Sequence, residues 1–264
     1  MSSSRPIIGV FDSGVGGLTV LNEMLRQAPN AEYLYFGDTA RLPYGSKSAE
    51  TVAKYALSAA GFLREQGAEL LVVACNTATA LAFDQISTRS GLPSLGVIDP
   101  GARAAAEVSK TRKVVVIATE GTVKSHAYKN ALTNFGVHSQ EKACPLFVPL
   151  VEEGWVNHRV TAEVAQIYLD GLFPDPSGPD TLVLGCTHYP LLKPLLRTTV
   201  QWRVNIVDSA EVTAAEVARL LPAAASSGAP QIRFFATDSV EKFRFAGEKF
   251  IGRPIGDVVH VDIE

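Results

Sequence analysis

The amino-acid sequence predicts an α/β protein with mainly parallel sheets. Short apolar runs, in which polar and apolar residues do not alternate, recur between longer amphipathic stretches. Continuous apolarity is typical of strands covered on both faces, and a repeated strand-then-helix order is typical of parallel α/β sheets. With 264 residues, 47% of them hydrophobic, the chain can bury a substantial core in one large domain or in two smaller ones.

The predicted elements follow from this pattern in chain order. The predicted strands are Ile7–Phe11, Glu32–Phe36, Leu70–Ala74, Leu95–Ile98, Val114–Ala118, Leu146–Val148, Thr181–Leu184 and Val204–Val207. The predicted helices include Leu18–Gln27, Ser48–Gln66, Pro100–Lys110, Ser125–Asn134, Thr161–Leu172 and Ala210–Leu221. Composition predicts loops at Asp38–Ser46 and Pro174–Pro179, and a linker at Pro222–Pro230.

An internal similarity divides the chain into two related parts. The segment ELLVVACNT around Cys75 aligns with DTLVLGCTH around Cys186, 111 residues later, and a weaker pair aligns residues 8–14 with residues 115–121. Ligands of open α/β sheets bind at the carboxyl ends of the strands. We therefore predict two pseudo-symmetric α/β domains, with the active site in the cleft between them. Residues 1–97 and 209–264 form the domain that carries Cys75, and residues 98–208 form the domain that carries Cys186.

Charge, apolar run length and cysteine content argue against several classes of protein. The 24 Lys and Arg residues against 27 Asp and Glu residues give a net charge of −3, so net charge offers no reason to expect nucleic acid or an anionic membrane as a partner. The apolar runs are too short to span a bilayer, and the N-terminus does not resemble a signal peptide, so we expect a cytoplasmic protein. Three cysteines without a CxxC pair argue against a disulfide scaffold and a tetrahedral zinc site.

Two of the cysteines are candidates for chemistry. Cys75 and Cys186 each lie where an apolar strand gives way to a helix, and the amides and dipole of a helix start favour a thiolate. Polar pairs, Asn76–Thr77 and Thr187–His188, follow them. Cys144 is not followed by a polar pair and is interpreted as structural. The alternative for the first two is that each is a small buried apolar side chain.

His188 is a candidate partner of the second thiol, although a lone histidine is more often structural. Two residues after Cys186, it could polarise that thiol or a substrate. A Cys-x-His metal pair is an alternative, but no second cysteine cluster completes it.

The glycine-rich segment FDSGVGG follows the first strand. Gly14, Gly16 and then Thr19 break the spacing of a dinucleotide-binding fingerprint, so the segment is interpreted as a tight turn that lets the backbone approach a ligand. Asp12, at the strand tip, could act as a base or pair with an ammonium group; a turn or capping role is the alternative. In the later segment PYGS, backbone amides and the Ser46 hydroxyl could bind a carboxylate.

An ordered series of motifs covers nearly the whole chain. The segments FDSGVGGLTVL, YFGDTARLPYGSKS, VVACNTATA, GTVKSHAY, ACPLFVPLVEEGW and LGCTHYPLL, taken together, resemble the motif series of glutamate racemases. The resemblance implies interconversion of L- and D-glutamate without pyridoxal phosphate or any other cofactor, and without a metal, to supply D-glutamate for peptidoglycan. It also implies a homodimer, while a gyrase-inhibiting role found in some members has no support in these residues.

The resemblance also assigns roles to residues. It makes Cys75 and Cys186 the two catalytic thiols, assisted by Asp12 and His188 respectively. The acidic residue near the second thiol is Glu152 or Glu153, with Glu152 favoured because it follows Pro-Leu-Val directly. The residues implied in substrate binding are Asp12, Ser13, Pro43, Tyr44, Gly45, Ser46, Asn76, Thr77, Thr119, Thr122, Thr187 and His188.

Three alternatives remain at this point. One is racemisation of aspartate or another amino acid, which would use the same pair of thiols. A second is a redox or hydrolytic enzyme in which Cys186 is the nucleophile and His188 the base, although no GxCxG elbow surrounds the cysteine. The third is a two-lobed amino-acid binding protein or a gyrase-inhibiting protein without catalytic activity.

Overall fold

A computed structural model describes residues 5–200, 204–221 and 229–263, and within these ranges the chain forms ten strands and eleven α-helices. The strands are β1 (Ile7–Asp12), β2 (Glu32–Gly37), β3 (Leu70–Val73), β4 (Ser94–Gly96), β5 (Lys113–Ala118), β6 (His138–Ala143), β7 (Thr181–Gly185), β8 (Asn205–Asp208), β9 (Ile232–Ala236) and β10 (Val258–His260). The helices are α1 (Leu18–Gln27), α2 (Ala49–Glu65), α3 (Asn76–Arg89), α4 (Ile98–Val108), α5 (Glu120–Ser125), α6 (Ala127–Asn134), α7 (Phe147–Glu152), α8 (Arg159–Leu169), α9 (Lys193–Thr199), α10 (Ser209–Leu220) and α11 (Val240–Ile251). Short 3-10 helices cover Thr39–Arg41, Tyr44–Ser46 and Tyr189–Leu192.

The strands form two separate sheets. A six-stranded sheet has the order β10-β9-β2-β1-β3-β4, and a four-stranded sheet has the order β6-β5-β7-β8. Every strand pairing within the described residues is parallel. The predicted fold class, α/β with two mainly parallel sheets, is confirmed.

The two sheets share one internal order. In the first, β1 lies between β2 and β3, with β4 beyond; in the second, β5 lies between β6 and β7, with β8 beyond. The segments matched in the sequence therefore occupy equivalent places, β1 with β5 and β3 with β7. The runs in β3 and β7 are almost entirely buried, as strands covered by helices on both faces must be. Both cysteine-bearing strand ends thus belong to the centre of a sheet.

The helix α10 connects the two parts of the molecule. It follows β8 of the four-stranded sheet, yet it packs against α1, which follows β1 of the six-stranded sheet, and also against α4. The chain then returns to the six-stranded sheet through β9 and β10. The domain boundaries predicted at residues 97/98 and 208/209 stay a prediction.

The strand predicted at Leu146–Val148 is wrong. These residues begin α7, where Phe147 and Val151 are buried at a helical spacing of four residues and Leu146 is about half exposed. Pro149 lies in the first turn of this helix, where a missing backbone N–H disturbs no hydrogen bond. A three-residue apolar run was too short to separate a strand from one turn of helix.

Other boundaries differ in smaller ways. The strand predicted at Leu95–Ile98 is shorter, since β4 ends at Gly96 and Ile98 already begins α4. The loop predicted at Pro174–Pro179 is confirmed, and the loop predicted at Asp38–Ser46 contains two 3-10 turns. Most of the predicted linker at Pro222–Pro230 lies outside the described residues. None of the helices in the described ranges has the length and apolar character needed to cross a membrane.

Candidate active site

The two cysteines flank one cavity. Cys75 is the N-cap residue of α3 and is separated from β3 by Ala74 alone, and Cys186 directly follows β7. Each is 5% exposed, and both side chains line the same cavity of about 310 Å³. The parallel strands of each sheet end on one side, so two equivalent strand ends deliver two thiols to one space.

Most residues predicted for the site line this cavity. They are Ser13, Pro43, Tyr44, Gly45, Cys75, Asn76, Thr77, Thr119, Glu152, Cys186, Thr187 and His188. Three predicted residues do not line it: Asp12 and Thr122 are buried behind the wall, and Ser46 is exposed to solvent outside it. Three apolar or ring residues that the sequence did not single out complete the wall, namely Leu42, Val148 and Pro149.

Asp12 is a buried carboxyl at the tip of β1. It is 1% exposed, its Oδ2 accepts a hydrogen bond from the Gly14 amide at 2.9 Å, and its Oδ1 has no partner among the described residues. Burial raises the pKa of Asp12 above its ordinary value, while the nearby His188 and backbone amides act in the opposite direction. A buried oxygen without a partner is costly, so a hydrogen-bond donor that reached Oδ1 would be favoured there.

The Cys75 thiol is held by short-range polar contacts. Its sulfur lies 3.5 Å from Ser13 Oγ and accepts a hydrogen bond from the Ala78 amide at 3.4 Å. Burial, together with the nearby Asp12 carboxyl, raises the pKa of Cys75 to about 12, although the contacts to Ser13 and Ala78 act to lower it. In the described structure this thiol is therefore protonated at neutral pH.

The Cys186 thiol has an imidazole beside it. His188 Nδ1 lies 3.9 Å from Cys186 Sγ, and His188 Nε2 lies 3.0 Å from Glu152 Oε1. Burial disfavours the charged ring, but the hydrogen bonds with Cys186 and Glu152 raise the pKa of His188 to about 10. The ring is therefore an imidazolium at neutral pH. The neighbouring Glu153 is the C-cap residue of α7 and has no contact of this kind with any described residue, so it is Glu152 that the fold places against the imidazole.

Glycine is required where the turn after β1 meets this imidazole. A Cβ atom on Gly16 would lie 2.3 Å from Thr187 Oγ1 and 2.5 Å from His188 Nδ1. The Thr19 hydroxyl, in the first turn of α1, donates a hydrogen bond to the Thr187 carbonyl at 2.9 Å. The structure shows this turn in close approach to the loop that carries His188, and the approach to a ligand predicted from FDSGVGG stays a prediction.

The loop between β2 and α2 is anchored by a buried carboxylate that the sequence did not single out. Asp38 is fully buried, accepts hydrogen bonds from the Tyr44 hydroxyl and from Thr237 Oγ1, and pairs with Arg41. Arg41 also donates to the Ile263 carbonyl near the end of the chain. These contacts fix the position of Tyr44 in the cavity wall. The position of Asp38 immediately after a strand was the available signal.

Hydroxyl groups connect the two sides of the cavity. Thr77 Oγ1, at the start of α3, lies 2.9 Å from Thr119 Oγ1, which in turn lies 3.0 Å from Thr122 Oγ1. The Tyr128 hydroxyl donates to Asn76 Oδ1 at 2.7 Å. The contacts of Thr77 with Thr119 and of Tyr128 with Asn76 each join an element after β3 to one after β5. The cavity is therefore closed on the Cys75 side by direct contacts between the two parts of the fold.

The side chains present are those of an acid–base site. Within the described ranges, no group of three or more His, Cys, Asp or Glu side chains is arranged to hold a metal ion. Cys75, Cys144 and Cys186 are not paired with one another. The cavity is lined by two thiols, one carboxyl group, one imidazolium and several hydroxyl and amide groups, and the Asp12 carboxyl is buried behind its wall.

Comparison with known proteins agrees with this architecture. Residues 8–217 match the model of the Asp/Glu/Hydantoin racemase family. A glutamate racemase from Koribacter versatilis is 56% identical, covering 100% of this chain and 99% of that protein. A crystal structure of a glutamate racemase isoform from Bacillus anthracis superposes with a TM-score of 0.92 at 39% identity, covering 98% of both chains. One from Francisella tularensis, in complex with D-glutamate, gives 0.88 at 33% identity, again covering 98% of both chains.

Matches of this extent to the family model and to full-length relatives confirm the resemblance predicted from the ordered motifs. The chain is an enzyme of the isomerase class, and it belongs to the Asp/Glu/Hydantoin racemase family.

Proposed function

We propose that this protein interconverts L- and D-glutamate without a cofactor, using Cys75 and Cys186 as the two acid–base groups. The observation that carries the proposal is the pair of thiols at equivalent strand ends, β3 and β7, on one cavity. Relatives named glutamate racemase at up to 56% identity over the full chain support glutamate as the substrate. No residue of the cavity favours the aspartate, hydrolytic or binding-protein alternatives over it.

Racemisation without a cofactor requires one base and one acid on opposite faces of the α-carbon. In each direction, a thiolate removes the α-proton while the opposite thiol donates a proton to the other face, which inverts the centre. The proton count is unchanged, since one cysteine takes the α-proton from the substrate and the other gives its own proton to the opposite face. After turnover the two cysteines have exchanged protonation states. Two side chains of the same type suit this exchange, because each must serve as acid and as base.

The neighbouring ionisable groups differ between the two thiols. We assign Asp12 to assist Cys75 and the His188 imidazolium to assist Cys186, with Glu152 orienting the ring. In the proposed starting state Cys186 is the thiolate, and the imidazolium lies 3.9 Å from its Sγ. The Cys75 thiol, whose pKa burial raises to about 12, is then the proton donor of the starting state.

The cavity also offers partners for the charged groups of an amino acid. Asn76 Nδ2, in the cavity wall, and Asp12 Oδ1, buried behind it, have no partner among the described residues, which leaves a donor at the cavity and an acceptor close to it. An ammonium group needs an acceptor and a carboxylate needs a donor. Hydrogen bonds to the α-carboxylate would also stabilise the negative charge that develops as the α-proton leaves.

Solvent isotope incorporation tests the proposed chemistry. In D₂O, the enzyme should convert D-glutamate to L-glutamate with deuterium at the α-carbon of the product, because a thiol that has exchanged with solvent donates the new proton. Racemisation should proceed equally with and without added pyridoxal phosphate, and glutamate should be turned over far faster than aspartate. Product without solvent deuterium, or faster turnover of aspartate, would contradict the proposal.

The biological setting belongs to the same proposal. D-glutamate made by this enzyme would supply peptidoglycan synthesis in the cytoplasm, and the active form would be a homodimer. Depletion of the protein in its host should produce a requirement for external D-glutamate. Sedimentation of the purified protein should give the mass of two chains. Normal growth of the depleted host without D-glutamate would contradict the peptidoglycan role, and the mass of a single chain would contradict the homodimer.

A further inference from the structure

Tyr128 is a fully buried tyrosine whose hydroxyl reaches across the boundary between the two sheets. It lies in the first turn of α6, after β5, and donates a hydrogen bond of 2.7 Å to Asn76 Oδ1 at the start of α3, after β3. Its ring is confined by two glycines: a Cβ on Gly185 would lie 3.0 Å from the ring, and one on Gly101 would lie 3.4 Å from it. The phenol is thus held in one place by packing on both sides.

The hydrogen of this hydroxyl points towards Asn76. Burial raises the pKa of Tyr128, so the phenol stays protonated, while a hydrogen bond with Ser209 has the opposite effect on that pKa. The Ser209 hydroxyl itself donates to the Leu184 carbonyl at 3.1 Å. The structure has this hydroxyl donating to Oδ1 of Asn76, and a carbonyl oxygen can only accept. Oδ1 is therefore the end of the amide that faces the phenol.

The opposite end of the same amide is left without a partner. Asn76 is 2% exposed and lines the cavity between the thiols, yet its Nδ2 has no acceptor among the described residues. A buried N–H group without an acceptor is costly, so an oxygen from a bound ligand is favoured there. If the amide turned over, its carbonyl oxygen would take that place and would repel a carboxylate.

We propose that Tyr128 is a positioning residue, which fixes the Asn76 amide so that its N–H groups are directed to a carboxylate of the substrate. The inference rests on the proposed function for the identity of that carboxylate. Tyr128 does not line the cavity, so its effect on the substrate passes through Asn76. Because α6 and α3 follow strands of different sheets, the same hydrogen bond couples the carboxylate-binding amide to the relative position of the two sheets.

Removal of the hydroxyl alone is the main test. Tyr128→Phe keeps the ring between Gly101 and Gly185 and deletes only the donor. A carboxylate is bound in the ground state as well as in the transition state, so the loss should appear in KM. We expect KM for D-glutamate to rise roughly tenfold, the usual effect of one lost buried hydrogen bond, with a smaller change in kcat.

A second tyrosine provides the matched control. Tyr33 is also fully buried, and its hydroxyl donates to the Ala28 carbonyl at 2.6 Å, near the start of β2 and away from the cavity. Tyr33→Phe removes the same atom from an equally buried site. Its thermal midpoint should fall about as much as that of Tyr128→Phe, whereas its KM should match that of the wild type.

A double-mutant cycle then separates positioning from a general structural effect. If Tyr128 acts through Asn76, adding Tyr128→Phe to Asn76→Ala should not raise KM any further. An unchanged KM in Tyr128→Phe, or effects of the two substitutions that multiply, would overturn the inference. If the wild type binds D-glutamate but does not racemise it, the proposed function fails. The inference is then tested by calorimetry, which gives the Kd for D-glutamate of the wild type, the two single variants and the double variant. Tyr128→Phe should then weaken binding roughly tenfold, and equal Kd values would overturn the inference separately.

Discussion

The two thiols occupy equivalent places in the two sheets but have different surroundings. After β3 the chain enters α3 at once, so Cys75 caps a helix of 14 residues and its sulfur accepts an amide N–H. After β7 the chain instead makes a 3-10 turn at Tyr189–Leu192, and the sulfur of Cys186 lies beside an imidazole. The backbone is duplicated, whereas the charged neighbours are not.

The difference shows that the fold and the acid–base behaviour of the site are determined separately. Strand order places both thiols on the cavity, but the sign of the nearest ionisable group differs between them. Asp12 disfavours a thiolate at Cys75, whereas the contacts with Cys186 and Glu152 favour the charged form of the His188 ring. The resting enzyme is therefore asymmetric, although the reaction it is proposed to catalyse is symmetric.

The largest expected effect tests whether both thiols are needed. Cys75→Ala and Cys186→Ala should each lower kcat for glutamate racemisation by roughly 10³-fold or more, because each substitution removes an acid–base group on one face of the α-carbon. The assay is circular dichroism of D-glutamate solutions. Cys144→Ala, at a buried cysteine that does not line the cavity, is the control and should retain near wild-type turnover. Full activity in either of the first two variants would show that racemisation needs only one of the two thiols.

A glycine on the Cys186 side provides the second test. Gly16→Ala places a methyl group within 2.5 Å of His188 Nδ1, so the imidazole must move away from its position near Cys186. Displacement by about 1 Å at a catalytic group costs on the order of 100-fold in rate. Gly61→Ala, in α2 with no atom within 4 Å of the added carbon, should leave kcat/KM unchanged. Similar kinetics for the two variants would show that the close approach at Gly16 has no part in turnover.

The contact between His188 and Glu152 should have a smaller effect. Glu152→Gln keeps the shape of the side chain but removes the charge that supports the imidazolium, so kcat should fall roughly tenfold, the equivalent of one charge-assisted hydrogen bond at a half-exposed site. Glu153→Gln, one residue along the chain and exposed, should have wild-type kinetics. A loss of activity in the second variant only would reverse the roles of the two glutamates.

The smallest effect is on stability as a function of pH. The pKa of His188 is raised to about 10 in the folded protein, so its contribution to stability is fully present below its ordinary value of about 6.5 and is lost as pH rises towards 10. The pKa of Asp208 is raised to about 6, so this carboxyl changes the free energy of unfolding only at lower pH. The pKa of Cys75 is raised to about 12, so this thiol changes it only above the ordinary thiol pKa near 9. The free energy of unfolding in urea should therefore decrease between pH 7 and 8.5.

The slope of that decrease should be flatter in His188→Asn than in the wild type. An identical slope in the two proteins would show that the imidazole is not held in its charged form by the fold.

How far the sequence predicted the structure depends on which interactions fix each element. β1, β3, β5 and β7 are central, buried strands, and their apolar runs alone predicted them. β6, with the sequence HSQEKA, pairs on only one side, so its polar residues resemble a loop and no strand was predicted there.

The candidate site likewise contains residues that the sequence predicted and contacts that it did not. The cysteines and the polar pairs after them were evident from the internal similarity, because the spacing along the chain carries that information. Contacts that join distant parts of the chain left no local pattern. The hydrogen bond between Tyr128 and Asn76 and the burial of Asp38 against Thr237 are of this kind. Such contacts depend on how the two sheets are placed together, which no short segment encodes.

The return of the chain to the six-stranded sheet has a consequence for how the protein is made. Tyr33 in β2 is aligned with Ile232 in β9, whereas all four strands of the other sheet lie between residues 113 and 208. A ribosome synthesises the chain from its N-terminus, so the sheet that carries Cys186 can be complete while the β2 edge of the sheet that carries Cys75 still lacks its neighbour. Until β9 emerges, that edge is open to pairing with other chains. The nascent protein is therefore most exposed to aggregation on the Cys75 side, late in its synthesis.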